Sequence, residues 1–176
     1  MSGPADFCVS ETLESGLPVT VRALKPDDRD KIERAVRGLD PESIYTRLFT
    51  YRTELTGPGL ERIMRFDPDN EVVLIVTMGE GESETVIGSG RYVVARAAGS
   101  ARSAEVAFVV EEDFHGQGIA GRLLRHLAGV GRSQGIAQFE ASVLPRNKAM
   151  LAVFARSGLP MEKRIVDGEV HVVLTL

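Results

Sequence analysis

The sequence predicts one α/β domain built on a mixed, mostly antiparallel twisted sheet flanked by helices, and three observations carry that expectation. Apolar, β-branched runs recur in pairs joined by short polar loops, as in residues 71–78 and 85–94 on either side of a glycine- and acid-rich loop. Between two further apolar runs, residues 103–110 and 138–144, Leu123, Leu124, Leu127 and Ala128 recur at three-and-four spacing, the mark of a helix. No internal repeat, low-complexity tract or linker divides the 176 residues. That length suits one domain, 1–176, burying roughly two-thirds of its unfolded surface.

In chain order, residues 1–10 read as a leader of low regularity that could fray. Residues 9–13 and 17–22 predict a hairpin turning at Glu14-Ser15-Gly16. Pro26-Asp27-Asp28 signals a helix start, with acids where the helix dipole favours them, and Ile32, Ala35, Val36 and Leu39 give that helix a core-facing stripe. Two more helices are expected over residues 43–49 and 60–66, where Tyr45 and Phe49 lie one turn apart and suit packing. Residues 71–78 read as a buried central strand, and residues 96–102 as a loop tip. A helix over residues 118–133 tolerates Gly129 and Gly131 at about 1 kcal/mol each relative to alanine. A helix over residues 149–157 ends at Gly158, and residues 163–166 and 169–176 form a last hairpin about Asp167-Gly168.

Hydrophobic content of 43% and charged content of 26% are ordinary for a soluble globular protein. A net charge of −4 with dispersed lysines and arginines argues against general nucleic-acid or anionic-membrane binding. The most apolar run, residues 72–78, is too short to cross a bilayer, and the first residues lack a signal peptide's basic start, so a cytoplasmic location is expected. The single cysteine, Cys8, has no disulfide partner and reads as incidental. His126 and His171 lack metal-ligand spacing, so no metal site is expected.

The chemistry-bearing stretch is Val106 to Gly121, an apolar run, an acidic turn and a cluster of small residues opening a helix. Gly116, Gly118, Ala120 and Gly121 would leave backbone N–H groups unobstructed at a helix N-terminus, a phosphate-binding arrangement. Gly116 to Gly121 also satisfies the dinucleotide fingerprint GxGxxG. A dinucleotide site, however, needs its glycines directly after a first strand and an acid closing the second, with enough chain for another half. Here Glu111 to His115 intervene, and Glu140 would open its strand rather than close it.

His115-Gly116-Gln117-Gly118-Ile119-Ala120 instead resembles the (Gln/Arg)-x-x-Gly-x-(Gly/Ala) loop of the GNAT superfamily of N-acyltransferases, differing at its first position. Leu123 and Leu124 behind the loop, Asn147 opening a later helix and Ser157-Gly158-Leu159 closing it extend the resemblance. Val19-Thr20-Val21-Arg22, Pro26-Asp27-Asp28 and the run from Leu39 to Phe49 resemble the acetyltransferase domain of bacterial protein lysine acetyltransferases of the Pat type.

The resemblance implies an acetyl-CoA-dependent enzyme, with acetyl-CoA as co-substrate and an amine, by the Pat likeness a protein lysine, as acceptor. It implies that His115, Gly116, Gln117, Gly118, Ile119, Ala120 and Gly121 cradle the pyrophosphate. It assigns backbone groups of Phe108, Val109 and Val110 to the thioester and Asn147 to a CoA contact; the other reading of Asn147 is an ordinary helix N-cap. The helices of residues 43–49 and 60–66 would wall the acceptor channel. For the base, Glu105 is the single acid inside an apolar strand, where burial would suit it to that task; the alternative is a solvent-facing glutamate. Phe154 stands where the family often has a tyrosine acid, which would leave the thiolate to depart unprotonated. Acetylation of a small or N-terminal amine, and a non-catalytic CoA-binding sensor, are the alternatives.

Overall fold

The computed structural model describes residues 3–37, 64–65, 67–95, 102–111 and 114–176. Strands β1 (Cys8–Thr12), β2 (Pro18–Ala23), β3 (Glu71–Met78), β4 (Thr85–Val94), β5 (Ser103–Val110), β6 (Gln138–Val143), β7 (Met161–Val166) and β8 (Glu169–Thr175) form one sheet. Helices α1 (Arg29–Arg37), α2 (Ile119–Ser133) and α3 (Lys148–Ala155) flank it. The sheet order is β1-β2-β3-β4-β5-β6-β8-β7. Every neighbouring pair is antiparallel except β5 with β6, the two strands that α2 connects. The mixed, mostly antiparallel sheet expected from the sequence is the one found.

Two details differ. The leader is ordered from Pro4, in a 3-10 turn over Pro4–Asp6 that runs into β1, because Phe7 accepts the Ala23 N–H and packs against the core. The last hairpin begins at Met161, two residues earlier than expected, since Met161 pairs with Leu174. The helices expected at residues 43–49 and 60–66 lie outside the described residues except for Met64 and Arg65, as do Leu39, Glu42, Tyr45, Phe49 and nearly all of the loop at residues 96–102. Among the described residues no helix is long and apolar enough to cross a membrane.

Apolar residues on both faces of β3 make it the centre of two layers. Val72, Leu74 and Val76 join the larger core with Leu123, Leu124, Leu127, Phe139 and Phe154, while Val73 and Ile75 join Leu24, Ile32 and Val86 beneath α1. A strand buried on both faces reads as a continuous apolar run, and each such side chain contributes about 1.5–3 kcal/mol. The seating of α2 depends on what β4 lacks. A Cβ on Gly90 would lie 3.0 Å from Phe108 and 3.1 Å from Leu127, and one on Gly88 would lie 3.0 Å from Ile119. Missing side chains therefore let the start of α2 approach the sheet, and this fixes the height of the glycine loop above β5.

On the other face an ion-pair network ties α1 to the sheet. Arg22 of β2 donates to both carboxylate oxygens of Asp28, at 2.7 and 2.8 Å, and to Glu84 at 2.8 Å. Glu84 also accepts from Lys31 at 2.7 Å and Thr77 at 2.9 Å. The Arg22 guanidinium, aided by Lys31 and Thr77, outweighs burial and draws the Glu84 carboxyl from an ordinary value near 4.5 down to about 2. Burial alone would raise Asp28, but Arg22 and the Lys25 N–H outweigh it and hold that group low as well.

A depressed carboxylate contributes stability above its unfolded pKa and loses it as pH falls through the folded one. Unfolding free energy should therefore decline below about pH 4.5 and most of the Glu84 contribution should be gone by about pH 2. Glu84→Gln should cost on the order of 2 kcal/mol at neutral pH and flatten that acid limb. Urea titrations across the acid range check both expectations; a variant retaining the full wild-type acid slope would remove Glu84 from the account.

Candidate active site

The glycine loop folds as the sequence expects, and the backbone shows why. Gly116 and Gly118 have φ of 78° and 79°, in the left-handed region where L side chains are strained, and Gly118 is the N-cap of α2. The first intrahelical bond in α2 runs from the Arg122 N–H to the Gly118 carbonyl at 3.1 Å. The N–H groups of Ile119, Ala120 and Gly121 precede that bond and belong to the orphan donors at the positive end of the helix. No side chain caps Gly118.

In front of these donors lies a cleft of about 330 Å³ between the end of β5, the loop and α3. Of the residues expected to hold CoA, Phe108, Val110, His115, Gly116, Gly118, Ile119, Ala120, Gly121 and Asn147 line it. Phe114, Met150 and Val153 add apolar wall, and Glu14 and Arg156 add charge. An apolar channel ending at orphan N–H donors fits a molecule with an uncharged pantetheine arm and a pyrophosphate. Among the described residues lining the cleft there is no hydroxyl or thiol. Nor does any group of three or more described His, Cys, Asp or Glu residues suit a metal ion.

Two expected contacts are absent from the lining. Gln117 turns away, and its Oε1 accepts from Ser15 Oγ at 2.7 Å. Val109 is excluded by the ladder. The Glu111 N–H bonds the Ile87 carbonyl at 2.9 Å, so by antiparallel alternation Val109, in register with Ser89, also directs its backbone groups to β4. Phe108 and Val110 direct theirs the other way, towards β6. The β5–β6 ladder ends at Glu105↔Glu140, so the two strands have parted before they reach Phe108 and Val110. The opening faces the cleft and offers the Phe108 N–H as a donor for an acyl oxygen.

His115 takes the position of the usual Gln or Arg. Its Nε2 lies 2.7 Å from the Val110 carbonyl, to which it donates, folding the loop back onto the end of β5. Asn147 caps α3, its Oδ1 accepting the Met150 N–H at 3.2 Å, while its buried side chain also lines the cleft. The capping reading holds, and the cleft position stands beside it. Phe154 is 1% exposed and meets Phe108 edge-on at 6.2 Å, so it supports the cleft wall from within the core.

Glu105 corrects the expectation of a buried acid, because it is exposed. Ala104, Val106 and Phe108 occupy the face that packs on α2, and alternation puts Glu105 with Ala107 and Val109 on the opposite face. The described apolar cluster on that face centres on β3 and α1, leaving Glu105 beyond its edge. Its neighbour on the last rung of the parallel ladder is Glu140, so two carboxylates stand side by side where the strands begin to part.

Sequence reasoning missed Glu14 and Arg156. Arg156 follows α3 as an ordinary C-terminal cation and Glu14 sits in a hairpin turn, so tertiary docking alone brings them to the cleft.

The sequence and fold have close parallels. Residues 40–159 match the Acetyltransferase (GNAT) family. Acetyltransferase Pat of Mycolicibacterium smegmatis is 33% identical over 150 residues, covering 81% of this chain and 44% of Pat. The GNAT domain of S. lividans PAT superposes with a TM-score of 0.83 at 31% identity, covering 96% of this chain and 97% of that domain. A cAMP-binding acyltransferase from Mycobacterium smegmatis gives a TM-score of 0.62 at 25% identity, with 96% of this chain and 47% of that protein covered. This chain thus spans less than half the length of those two mycobacterial relatives. A family match over most of its length, on a fold with this split sheet and glycine cradle, means that the chain belongs to the GNAT family of acetyltransferases.

Proposed function

We propose that this chain transfers the acetyl group of acetyl-CoA to the ε-amine of a protein lysine. The observation that carries the reading is the β5–β6 ladder ending at Glu105 and Glu140, with the cleft on one face of the sheet and two carboxylates on the other. The likeness to Pat supports the choice of a protein lysine as acceptor.

In this reading the N–H groups of Ile119 to Gly121 hold the pyrophosphate and the apolar wall of Phe114, Met150 and Val153 holds the pantetheine arm. The Phe108 N–H donates to the thioester oxygen, where negative charge develops during attack. Glu105 and Glu140 receive the cationic acceptor, and Glu105 takes the ammonium proton. Three strand rises separate Glu105 from Phe108, roughly 10 Å, so the proton travels through water. The neutral amine forms the N–C bond, the C–S bond breaks, the attacking nitrogen gives its surplus proton to solvent, and the departing thiolate takes one up from solvent.

A thiol-release assay with acetyl-CoA against folded proteins, N-terminal peptides and small amines tests the acceptor class. Release with folded protein, together with lysine acetylation found by mass spectrometry, is expected. Faster release with a small amine or an α-amine would transfer the assignment to that class.

A further inference from the structure

We propose that Glu14 is an anionic brake on the CoA site, its carboxylate standing where the pyrophosphate must come. This rests on the assignment of the cleft to CoA and adds a determinant of affinity to it. Glu14 lines the cleft beside Gly116, Gly118 and Gly121. A Cβ built on Gly118 would lie 3.8 Å from Glu14 Oε1. The carboxylate thus faces the N-cap of α2, at the positive end that serves as the phosphate cradle.

The placement of Glu14 is held from both sides. After it, Ser15 Oγ donates to Gln117 Oε1 at 2.7 Å, fastening the turn between β1 and β2 to the glycine loop itself. Before it, Leu13 is buried in the larger core, and Arg122 of α2 donates to the Thr12 carbonyl at 3.0 Å. Arg122 and Arg125 of α2 direct their guanidinium groups to Glu11 and not to Glu14, and the His126 ring also bonds Glu11. Within the described lining, Arg156 is the only arginine or lysine.

In the free protein the helix terminus favours this carboxylate. An incoming pyrophosphate approaches the same helix terminus and is repelled by the carboxylate, so Glu14 must swing out before CoA seats. Affinity for CoA and acetyl-CoA is then lower than the cradle alone would give, and product CoA leaves sooner.

Calorimetry on the full chain with CoA, and with pantetheine as its phosphate-free part, tests the proposal. Removing a unit charge about 4 Å from a phosphate in a solvated cleft is worth roughly five-fold or more in affinity. Glu14→Gln should tighten CoA by about that factor at low salt, with the gap narrowing as salt is added. Ser15→Ala, which frees the turn, should tighten it less, and pantetheine should bind all three proteins alike. Unchanged or weaker CoA binding by folded Glu14→Gln, while the wild type binds normally, would overturn the brake and leave the cradle standing. Equal tightening of pantetheine would show a steric effect and overturn it too. Absence of CoA binding by every protein would remove the CoA assignment and the brake together.

Discussion

Glu105→Gln is expected to bind acetyl-CoA as the wild type does and to turn over roughly 10²–10⁴-fold more slowly, the usual cost of removing a positioned base. The substitution keeps size and hydrogen bonding but cannot accept a proton. Glu105 lies outside the cleft lining, so the cradle is untouched and the loss belongs to the chemical step. Because Glu105 is exposed, this substitution should leave stability within about 0.5 kcal/mol, which separates catalysis from folding. Single-turnover rates with saturating acetyl-CoA across the alkaline range provide the check. Wild-type turnover there would eliminate Glu105 and point to water, or to Glu42 in the segment outside the described residues. If the wild type also failed to turn over while binding CoA, the chain would be a CoA-binding sensor.

Gly118→Asp should weaken CoA roughly five-fold or more, the added charge acting with the bulk it puts before the cradle. The new side chain would carry a negative charge into the space before the α2 donors, where the pyrophosphate is expected. It must also adopt φ near 79°, a left-handed conformation that aspartate tolerates better than most residues, so the fold should survive. Gly118→Ala supplies the strain without the charge and should lose far less. Equal losses in the two variants would mean that backbone geometry, not charge, governs the site. Unchanged affinity in folded Gly118→Asp would place the pyrophosphate elsewhere.

Much of the fold is legible because its signals are local. The continuous apolar run of β3, the paired runs about Asp167-Gly168 and the three-and-four spacing of α2 fix period and burial without long-range information. The glycine loop is legible for the same reason, since the left-handed φ of Gly116 and Gly118 is a local demand. The features that local sequence does not carry depend on how elements meet. The apolar neighbours of Glu105 leave both a buried and a solvent-facing glutamate open, because burial is decided by what covers each face of β5. Phe108, Val109 and Val110 looked equivalent, whereas the ladder gives their backbone groups to alternate sides. Gly88 and Gly90 carry no message until α2 is laid over them. Glu14 and Arg156 reach the cleft only through docking of a turn and a helix end remote from the loop in sequence.

Backbone amide shifts followed through a CoA titration test the central claim most directly. The account predicts the largest shifts at Gly118 to Gly121 and at Phe108, with those at Gly118 to Gly121 absent when pantetheine replaces CoA. Shifts concentrated instead about the separate hollow lined by Ser10, Thr20 and Gly79, with the glycine loop unmoved, would contradict it.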